Sequence, residues 1–268
     1  KSLGNFIEID LLQAYAEKYS LDAVRWFLTT QGPLGANDAD FAHARFIEVY
    51  NADLANSIGN STSRVGNMVH KYFDGTVPAT CNGEFGFPDG SSLQTALKAL
   101  ENAGKAVDDP TRTYNFQEFI NEATTNAIDA LAKVDLETML DSARSIVRYV
   151  DDFISYCAPF TLAKQLDTLD DGTHALQSIL YSCAEALRIA SLLLSPAMPE
   201  KMAELWRNWN CNHLTNPNDA NSPFIAPLAE LAQWGGPHAI KVGQTIAKGD
   251  ALFMRADGNE PAPEPATV

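Results

Sequence analysis

One amphipathic stretch, residues 51–72, constrains the fold of this chain more than any other. Plotted at about 100° per residue, NADLANSIGNSTSRVGNMVHKY divides into three faces of one predicted helix. The predicted core face consists of Leu54, Ile58, Ser61, Val65, Met68 and Tyr72. A second face carries only small residues, namely Ala52, Ala55, Gly59, Thr62 and Gly66, so another segment could approach it closely. The third face carries hydrogen-bonding side chains, namely Asp53, Asn56, Asn60, Arg64, Asn67 and Lys71. Two faces are therefore expected to pack against other segments.

The polar third face has two interpretations. A polar helix face is most often simply solvated, with no partner to recognise. Asn is a mediocre helix former, however, and a solvated face is more commonly filled with Glu, Lys and Gln. This helix alone leaves both interpretations open.

Helical periodicity recurs along the rest of the chain, and no strand pattern is strong. Further helices are predicted over residues 11–19, 21–28, 92–107, 116–131, 136–154, 176–194 and 199–206. The helix over 136–154 has the clearest amphipathic rhythm and is expected to be a central bundle member, ending before Pro159. The predicted fold class is all-α, a helical bundle.

Local signals place the helix ends and the connections. Asp10 with Gln13 resembles a capping box, Ser20 can cap the second helix, where Leu21, Val24, Phe27 and Leu28 form the predicted buried stripe, and Pro199 suits a first turn. Residues 73–91 are predicted to form a long loop, and residues 238–257 an extended tail that packs back on the bundle.

Charge and composition exclude several classes of protein. The chain has 268 residues, 46% of them hydrophobic, enough for a substantial core. Its 19 basic and 34 acidic residues give a net charge of −15, which disfavours a non-specific binder of polyanions, so a nucleic-acid site would have to be local. The four cysteines show no metal-ligand spacing, which favours reduced, structural thiols in a cytoplasmic protein. No apolar run is long enough to predict a membrane span.

Both ends suggest a piece of a longer protein. The chain begins at Lys1 without a Met and ends in NEPAPEPATV, a composition typical of a stiff linker.

A set of motifs in order along nearly the whole chain resembles the C-terminal part of bacterial methionyl-tRNA synthetases, class I aminoacyl-tRNA synthetases. The motifs are KSLGN, LDAVRWFL, NADLANSIGNSTSRVGN, CAPFTLAKQ, LLLSPAMPE and KVGQTIAKGDALFMRAD. The resemblance implies three parts: a helical stem-contact module over 1–50, an anticodon-binding helical bundle over 51–236, and a tail over 237–268 that returns to the catalytic core and continues into the linker.

KSLGN resembles the second half of the family's KMSKS signature, and Lys1 matches its last lysine. The resemblance implies that Lys1 holds ATP phosphates in a cytoplasmic methionine–tRNA ligase that uses methionine, ATP and methionine tRNA. The nucleotide-binding core is absent from this stretch, so the piece alone is not expected to aminoacylate. Some family members carry a C-terminal dimerisation and tRNA-binding domain, so the resemblance also allows a homodimer formed outside this chain.

The resemblance assigns anticodon recognition to five residues: Asn56, Asn60, Arg64, Pro159 and Phe160. Asn60 and Arg64 match the pair with which the family reads the anticodon, and an amide and a planar guanidinium suit the exposed edges of unstacked bases. The family's Ala-Pro-Trp, whose indole stacks on an anticodon base, is Ala158-Pro159-Phe160 here.

Two further departures lie near this motif. Ser155 stands where the family has a carboxylate, and Asp151 where an Asn is common. The stretch over 109–133 also looks longer than the family's usual connection, and the sequence assigns it no role.

Several alternatives remain open. Phe160 could be an ordinary core side chain after a helix-ending proline. Five cations could contribute a local phosphate footprint: Arg64, Lys71, Arg144, Arg148 and Lys164. Arg144 and Arg148 could instead pair with Asp141 and Asp152. The chain could also be the anticodon domain of another class I synthetase, for leucine, valine or cysteine, or a non-catalytic helical RNA-binding or scaffold module.

Overall fold

A computed structural model describes residues 8–32, 41–78, 90–107, 109–216, 224–248 and 250–264. The predicted all-α class is confirmed, since helices make up the secondary structure of these residues apart from two isolated β-bridges. Lys1 lies outside the described residues. No helix among the described residues is both long and apolar enough to cross a membrane.

The first three helices are α1 (Ile9–Tyr19), α2 (Leu21–Gln31) and α3 (His43–Val49). Aromatic side chains pack between them, and Phe46 contacts Tyr15, Tyr19 and Phe27 with ring centroids 4.8–5.4 Å apart. The predicted cap of α2 is confirmed, because Ser20 Oγ accepts a hydrogen bond from the Ala23 amide.

Two local predictions for these helices are wrong. The capping box at Asp10 does not form: α1 begins at Ile9, two residues before the predicted start, its N-cap is Glu8, and Gln13 bonds to Glu17 instead. The predicted stripe of α2 is also only half buried, since Val24 and Phe27 are in the core whereas Leu21 and Leu28 are exposed. Trp26 takes their place in the core, 1% exposed.

The stretch over 51–72 is helical but is not a single regular helix. A π-helical segment, Tyr50–Gly59, continues from α3, and α4 (Asn60–Phe73) follows it. Ser57 breaks the regular geometry with φ −107° and ψ −108°. Periodicity cannot predict such a break, because a widened turn displaces the backbone without changing which residues are apolar. The predicted core face survives it, since Leu54, Ile58, Ser61, Val65 and Met68 are all buried.

The remaining helices are α5 (Gly90–Asn102), α6 (Phe116–Ala132), α7 (Leu136–Cys157), α8 (Pro159–Leu162), α9 (Gly172–Leu194), α10 (Pro199–Asn208) and α11 (Leu228–Leu231). The predicted central role of α7 is confirmed, because it packs against both α6 and α9. The helix predicted over 92–107 extends five residues too far at its C-terminal end, because a turn at Ala103 and Gly104 ends α5, with Gly104 at φ 68°.

A buried ion pair ties α9 to the C-terminal segment. Arg188 forms two 2.7 Å bonds to Glu185, and neither side chain is exposed. Arg188 also donates to the Leu231 carbonyl, and Glu185 accepts from the Ile240 amide. Each charge is therefore paired and hydrogen-bonded, the condition under which a buried ion pair is tolerated.

The tail packs back on the bundle, and it does so on the small-residue face of the π segment and α4, a pairing that the sequence analysis did not predict. A Cβ on Gly59 would lie 3.6 Å from Phe253, and one on Gly66 would lie 3.8 Å from Ile246. Tyr50 donates to the Met254 carbonyl. Ala52 is the exception on this face, because it is exposed.

Two carboxylates join the first three helices to the bundle. Asp22 is fully buried and accepts from the Lys201 amide in the first turn of α10, where the helix dipole favours an anion. Asp53 accepts from the Trp26 indole and from Arg144 on α7. Asp22 thus joins α2 to α10, and Asp53 joins the π segment to α2 and α7.

Candidate nucleic-acid interface

Arg64 and Phe160, which are far apart in sequence, meet at the end of α7. The Arg64 guanidinium carbon lies 5.9 Å from the centre of the Phe160 ring, within the range of a cation–π contact. Asn60 opens α4 one turn before Arg64 and is exposed. The structure therefore places an amide, a planar cation and an aromatic face at one accessible edge.

The backbone at Ala158 explains how Phe160 reaches the surface. Ala158 ends α7 in the left-handed conformation, with φ 41° and ψ 61°, which reverses the chain before the short helix α8. Pro159 then occupies the first position of α8 and is buried. Phe160 remains 40% exposed, so it is not an ordinary core side chain. Pro159 is thus buried in the first turn of α8, beside the exposed Phe160.

Asp151 on α7 is the ionic partner of Arg64. Its Oδ1 lies 3.5 Å from an Arg64 guanidinium nitrogen and is buried without a hydrogen-bond partner. Burial raises the pKa of Asp151, and the neighbouring Ser61 and Arg64 oppose this rise. Arg64 therefore stands between a poorly solvated carboxylate and an aromatic ring, with 29% of its side chain exposed.

The remaining predicted site residues differ in their placement. Asn56 is exposed, but it lies in the π segment on the other side of the Ser57 break from Asn60. The two amides are therefore not successive turns of one regular helix. Lys1 lies outside the described residues, so its proposed role stays a prediction.

The predicted polar face and its nearby cations have mixed roles. Asp53 is not an accessible group, since its contacts to Trp26 and Arg144 leave its side chain 12% exposed. Arg144 thus pairs with Asp53 as well as with Asp141, which removes it from a free positive patch. Of the alternative pairings that the sequence left open, Arg148 with Asp152 does not form, because Asp152 pairs with Arg112 instead. Of the five cations predicted to form a phosphate footprint, Lys71, Arg148 and Lys164 are exposed.

A second polar cluster, missed by the sequence analysis, lies at the same end of α7. Arg112 pairs with Asp152, and its guanidinium carbon lies 4.8 Å from the Tyr114 ring centre and 5.8 Å from that of Tyr156. Tyr114 donates to Asp152 at 2.8 Å. Arg112 and Tyr114 precede α6 in a segment without periodicity, so only the fold reveals that they meet α7.

The cysteines among the described residues are structural. Cys157, Cys183 and Cys211 are buried and free, and burial raises the thiol pKa of all three, that of Cys211 to about 11. Within the described part of the chain, no group of three or more His, Cys, Asp or Glu side chains could hold a metal ion.

Comparison with known proteins gives a consistent family. Residues 1–66 match a family model described as "tRNA synthetases class I (M)". The chain is 30% identical over 244 residues to the methionine–tRNA ligase of Streptomyces coelicolor, covering 89% of this chain and 38% of that protein. It is 30% identical over 262 residues to the methionine–tRNA ligase of a Nostoc species, covering 96% of this chain and 41% of that protein. The chain thus spans about two fifths of the length of these relatives.

Solved structures show the same fold. The methionyl-tRNA synthetase of Mycobacterium tuberculosis bound by methionyl-adenylate superposes with a TM-score of 0.63 at 24% identity. The match covers 95% of this chain and 41% of that one. The chain is therefore homologous to bacterial class I methionyl-tRNA synthetases over most of its length, and it shares their fold over this part.

Proposed function

We propose that this chain recognises the anticodon of methionine tRNA as part of a methionine–tRNA ligase. The observation that carries the proposal is the contact between Arg64 on α4 and the exposed ring of Phe160 on α8. Asn60 lies one turn from Arg64 and is accessible from the same edge.

This edge has the chemistry that single-stranded RNA requires. An unstacked base can stack on the Phe160 ring or on the Arg64 guanidinium plane. The Arg64 fork supplies donors, and the Asn60 amide supplies both a donor and an acceptor for the edge of the base. Asn56 adds a second amide before the break, while Pro159 positions Phe160.

The local charge also agrees with a specific site. The chain carries a net charge of −15, so general attraction to RNA is unfavourable and binding must depend on local contacts. Lys71, Arg148 and Lys164 are exposed and can approach phosphates flanking the bound base.

The activity of the whole enzyme belongs to the same proposal. A methionine–tRNA ligase joins methionine to its tRNA with ATP, and the related Mycobacterium tuberculosis structure is described as bound by methionyl-adenylate. In the parent enzyme, Lys1 would hold ATP phosphates as a point charge on a loop. The chain itself supplies RNA recognition, and we expect it to bind no ATP alone. A homodimer would depend on a domain outside this chain.

The test measures binding of the chain to two RNA stem–loops, one with the methionine anticodon and one with an altered anticodon. Fluorescence anisotropy at fixed salt should show tighter binding of the methionine anticodon. Arg64→Ala and Arg64→Lys should both abolish this preference, because neither retains the planar fork.

Arg45→Ala is the matched control. Arg45 is also a partly exposed arginine paired with a carboxylate, at 2.8 Å from Glu48, but it lies on α3. Its replacement changes the charge equally and should preserve anticodon preference. Equal affinity of the unaltered chain for both stem–loops would refute the proposal.

A further inference from the structure

A cavity of about 400 Å³ opens beside Ala158, on the side of α7 that faces the α5–α6 connection. Its apolar wall includes Leu100, Val107 and Ala158, and its polar wall includes Arg112, Asp152 and Tyr156. This volume falls within the usual range of small-ligand pockets. The α5–α6 connection forms the outer wall of the cavity. It overlaps the stretch over 109–133, to which the sequence assigned no role.

The cavity and the candidate anticodon edge are parts of one structural unit. Ala158 lines the cavity, and Phe160 follows two residues later. Lys105 also lines the cavity and donates to the Thr161 hydroxyl at 3.0 Å, next to Phe160. Ser155 is exposed at the rim, one turn before Ala158.

The charges of the cavity favour a neutral planar ligand over a phosphate. Its charged lining residues are Lys105 and Arg112, which are cations, and Asp109 and Asp152, which are anions, so their formal charges cancel. A phosphate would approach two carboxylates at close range, which is unfavourable. A neutral ligand has no net charge for these two carboxylates to repel.

The arrangement of Arg112 gives the cavity a stacking surface with a polar edge. Its guanidinium lies over Tyr114 and near Tyr156, and 44% of its side chain remains exposed. Guanidinium planes and aromatic rings are the surfaces on which unstacked RNA bases lie, and Asp152 is an acceptor for exocyclic amines. Tyr156 is fixed by donating its hydroxyl to the Asp109 carbonyl at 2.6 Å.

We propose that this cavity binds a second unstacked nucleobase of the RNA loop, beside the base recognised at Arg64 and Phe160. This inference rests on the proposed anticodon recognition and extends it. One base would lie at the Phe160 ring, and another nucleotide of the same loop would enter between Arg112 and the end of α7.

The experiment uses the whole chain and the methionine anticodon stem–loop, with loop bases removed one at a time to leave abasic sites. Arg112→Ala should weaken binding of the intact loop by about 5- to 150-fold, the range expected for loss of one stacked base. Ser155→Leu, which projects an apolar side chain into the rim, should weaken binding similarly while leaving the Arg112–Asp152 pair intact. Arg45→Ala should have no effect.

The abasic loops locate the base. At one loop position, removal of the base should make the unaltered chain and Arg112→Ala bind equally, and this position should differ from the one at which Arg64→Ala loses its effect. An equal loss from Arg112→Ala with every abasic loop would indicate a general charge effect and overturn the inference.

Two other outcomes separate this inference from the proposed function. If Arg64→Ala weakens binding while Arg112→Ala and Ser155→Leu bind as the unaltered chain does, the cavity holds no base and only the further inference fails. If the unaltered chain does not bind the stem–loop at all, both proposals fail.

Discussion

The carboxylate of Asp151 lies 3.5 Å from the guanidinium of Arg64, on the side away from solvent. An RNA base that takes hydrogen bonds from Arg64 must therefore compete with this carboxylate. Asp151 also brings negative charge near any phosphate that accompanies the base. Arg64, which we propose recognises the anticodon, is thus the residue for which Asp151 and the RNA base compete.

Asp151→Asn should bind the methionine anticodon stem–loop more tightly than the unaltered chain. The amide keeps the size of the side chain but removes the competing charge, and we expect a gain of a few-fold, within the range measured for partly exposed ion pairs. Anisotropy titrations of both proteins at the same salt concentration check this. Weaker binding by Asp151→Asn would show that the carboxylate holds Arg64 in its binding geometry.

The same substitution predicts a pH dependence of stability. Burial raises the folded-state pKa of Asp151 above its unfolded value, so the native state binds this proton more tightly. The resulting destabilisation is absent below the unfolded pKa and develops as pH rises through the folded one. Asp151→Asn should therefore unfold at higher urea concentration than the unaltered chain at neutral pH, and this difference should shrink towards about pH 4. If the stability difference between Asp151→Asn and the unaltered chain grew on acidification, the pKa of Asp151 would not be raised in the folded state.

Phe160→Ala should weaken stem–loop binding by about 5- to 150-fold, the equivalent of ~1–3 kcal/mol for one stacked base. Because Phe160 is 40% exposed, the melting temperature of the Phe160→Ala variant should differ little from that of the unaltered chain. Phe160→Trp should restore or improve the affinity, since indole offers a larger stacking face. A large loss of thermal stability with unchanged binding would instead identify Phe160 as a packing residue.

Glu185→Ala should destabilise the fold by about 3–5 kcal/mol, because it leaves Arg188 buried without its partner. Glu204→Ala is the matched control, since Glu204 forms a pair of the same i,i+3 spacing with Lys201 but is partly exposed. Its loss should cost about 1 kcal/mol or less. Urea unfolding of both variants checks the contrast, and equal effects would show that burial does not set the strength of the Glu185 pair.

Gly66→Ala should stabilise the chain by about 0.5–1 kcal/mol, the difference in helix propensity. A Cβ there meets Ile246 at 3.8 Å, an ordinary contact, so the small-residue face has room at this position. Gly75→Ala is the opposing control, because Gly75 has φ 73° and a Cβ would lie 2.8 Å from the His70 ring. It should lower the melting temperature, and an unfavourable effect of Gly66→Ala would show that the tail needs a closer approach there.

Periodicity predicted much of this fold because burial follows the helical repeat. The core residues of α7 and of the stretch over 51–72 are buried where their spacing places them, and Ser20 caps α2 through a contact only three residues away. Helix ends were less predictable. The turn at Ala103 ends α5 before its apolar pattern ends, and Glu8 rather than Asp10 precedes α1.

The sequence also predicted one part of the candidate site and missed another. The sequence placed Asn60 and Arg64 on one helix face, and the family motif supplied Phe160 as their partner. The ion pairs of the site that join residues distant in sequence could not be inferred from spacing. They depend on how α7 packs against the π segment, α4 and the α5–α6 connection. Asp53 with Arg144, Asp151 with Arg64, and Asp152 with Arg112 are all of this kind.

The widened turn at Tyr50–Gly59 couples two surfaces that would otherwise be independent. A one-residue insertion or deletion before Gly59 that the turn does not absorb would rotate everything after it by about 100° relative to α3. Arg64 would leave Phe160, and the Gly59 and Gly66 positions would leave the tail at the same time. An insertion or deletion in this turn therefore cannot adjust the recognition edge alone, and we expect changes of length in this part of the chain to be tolerated far less than substitutions.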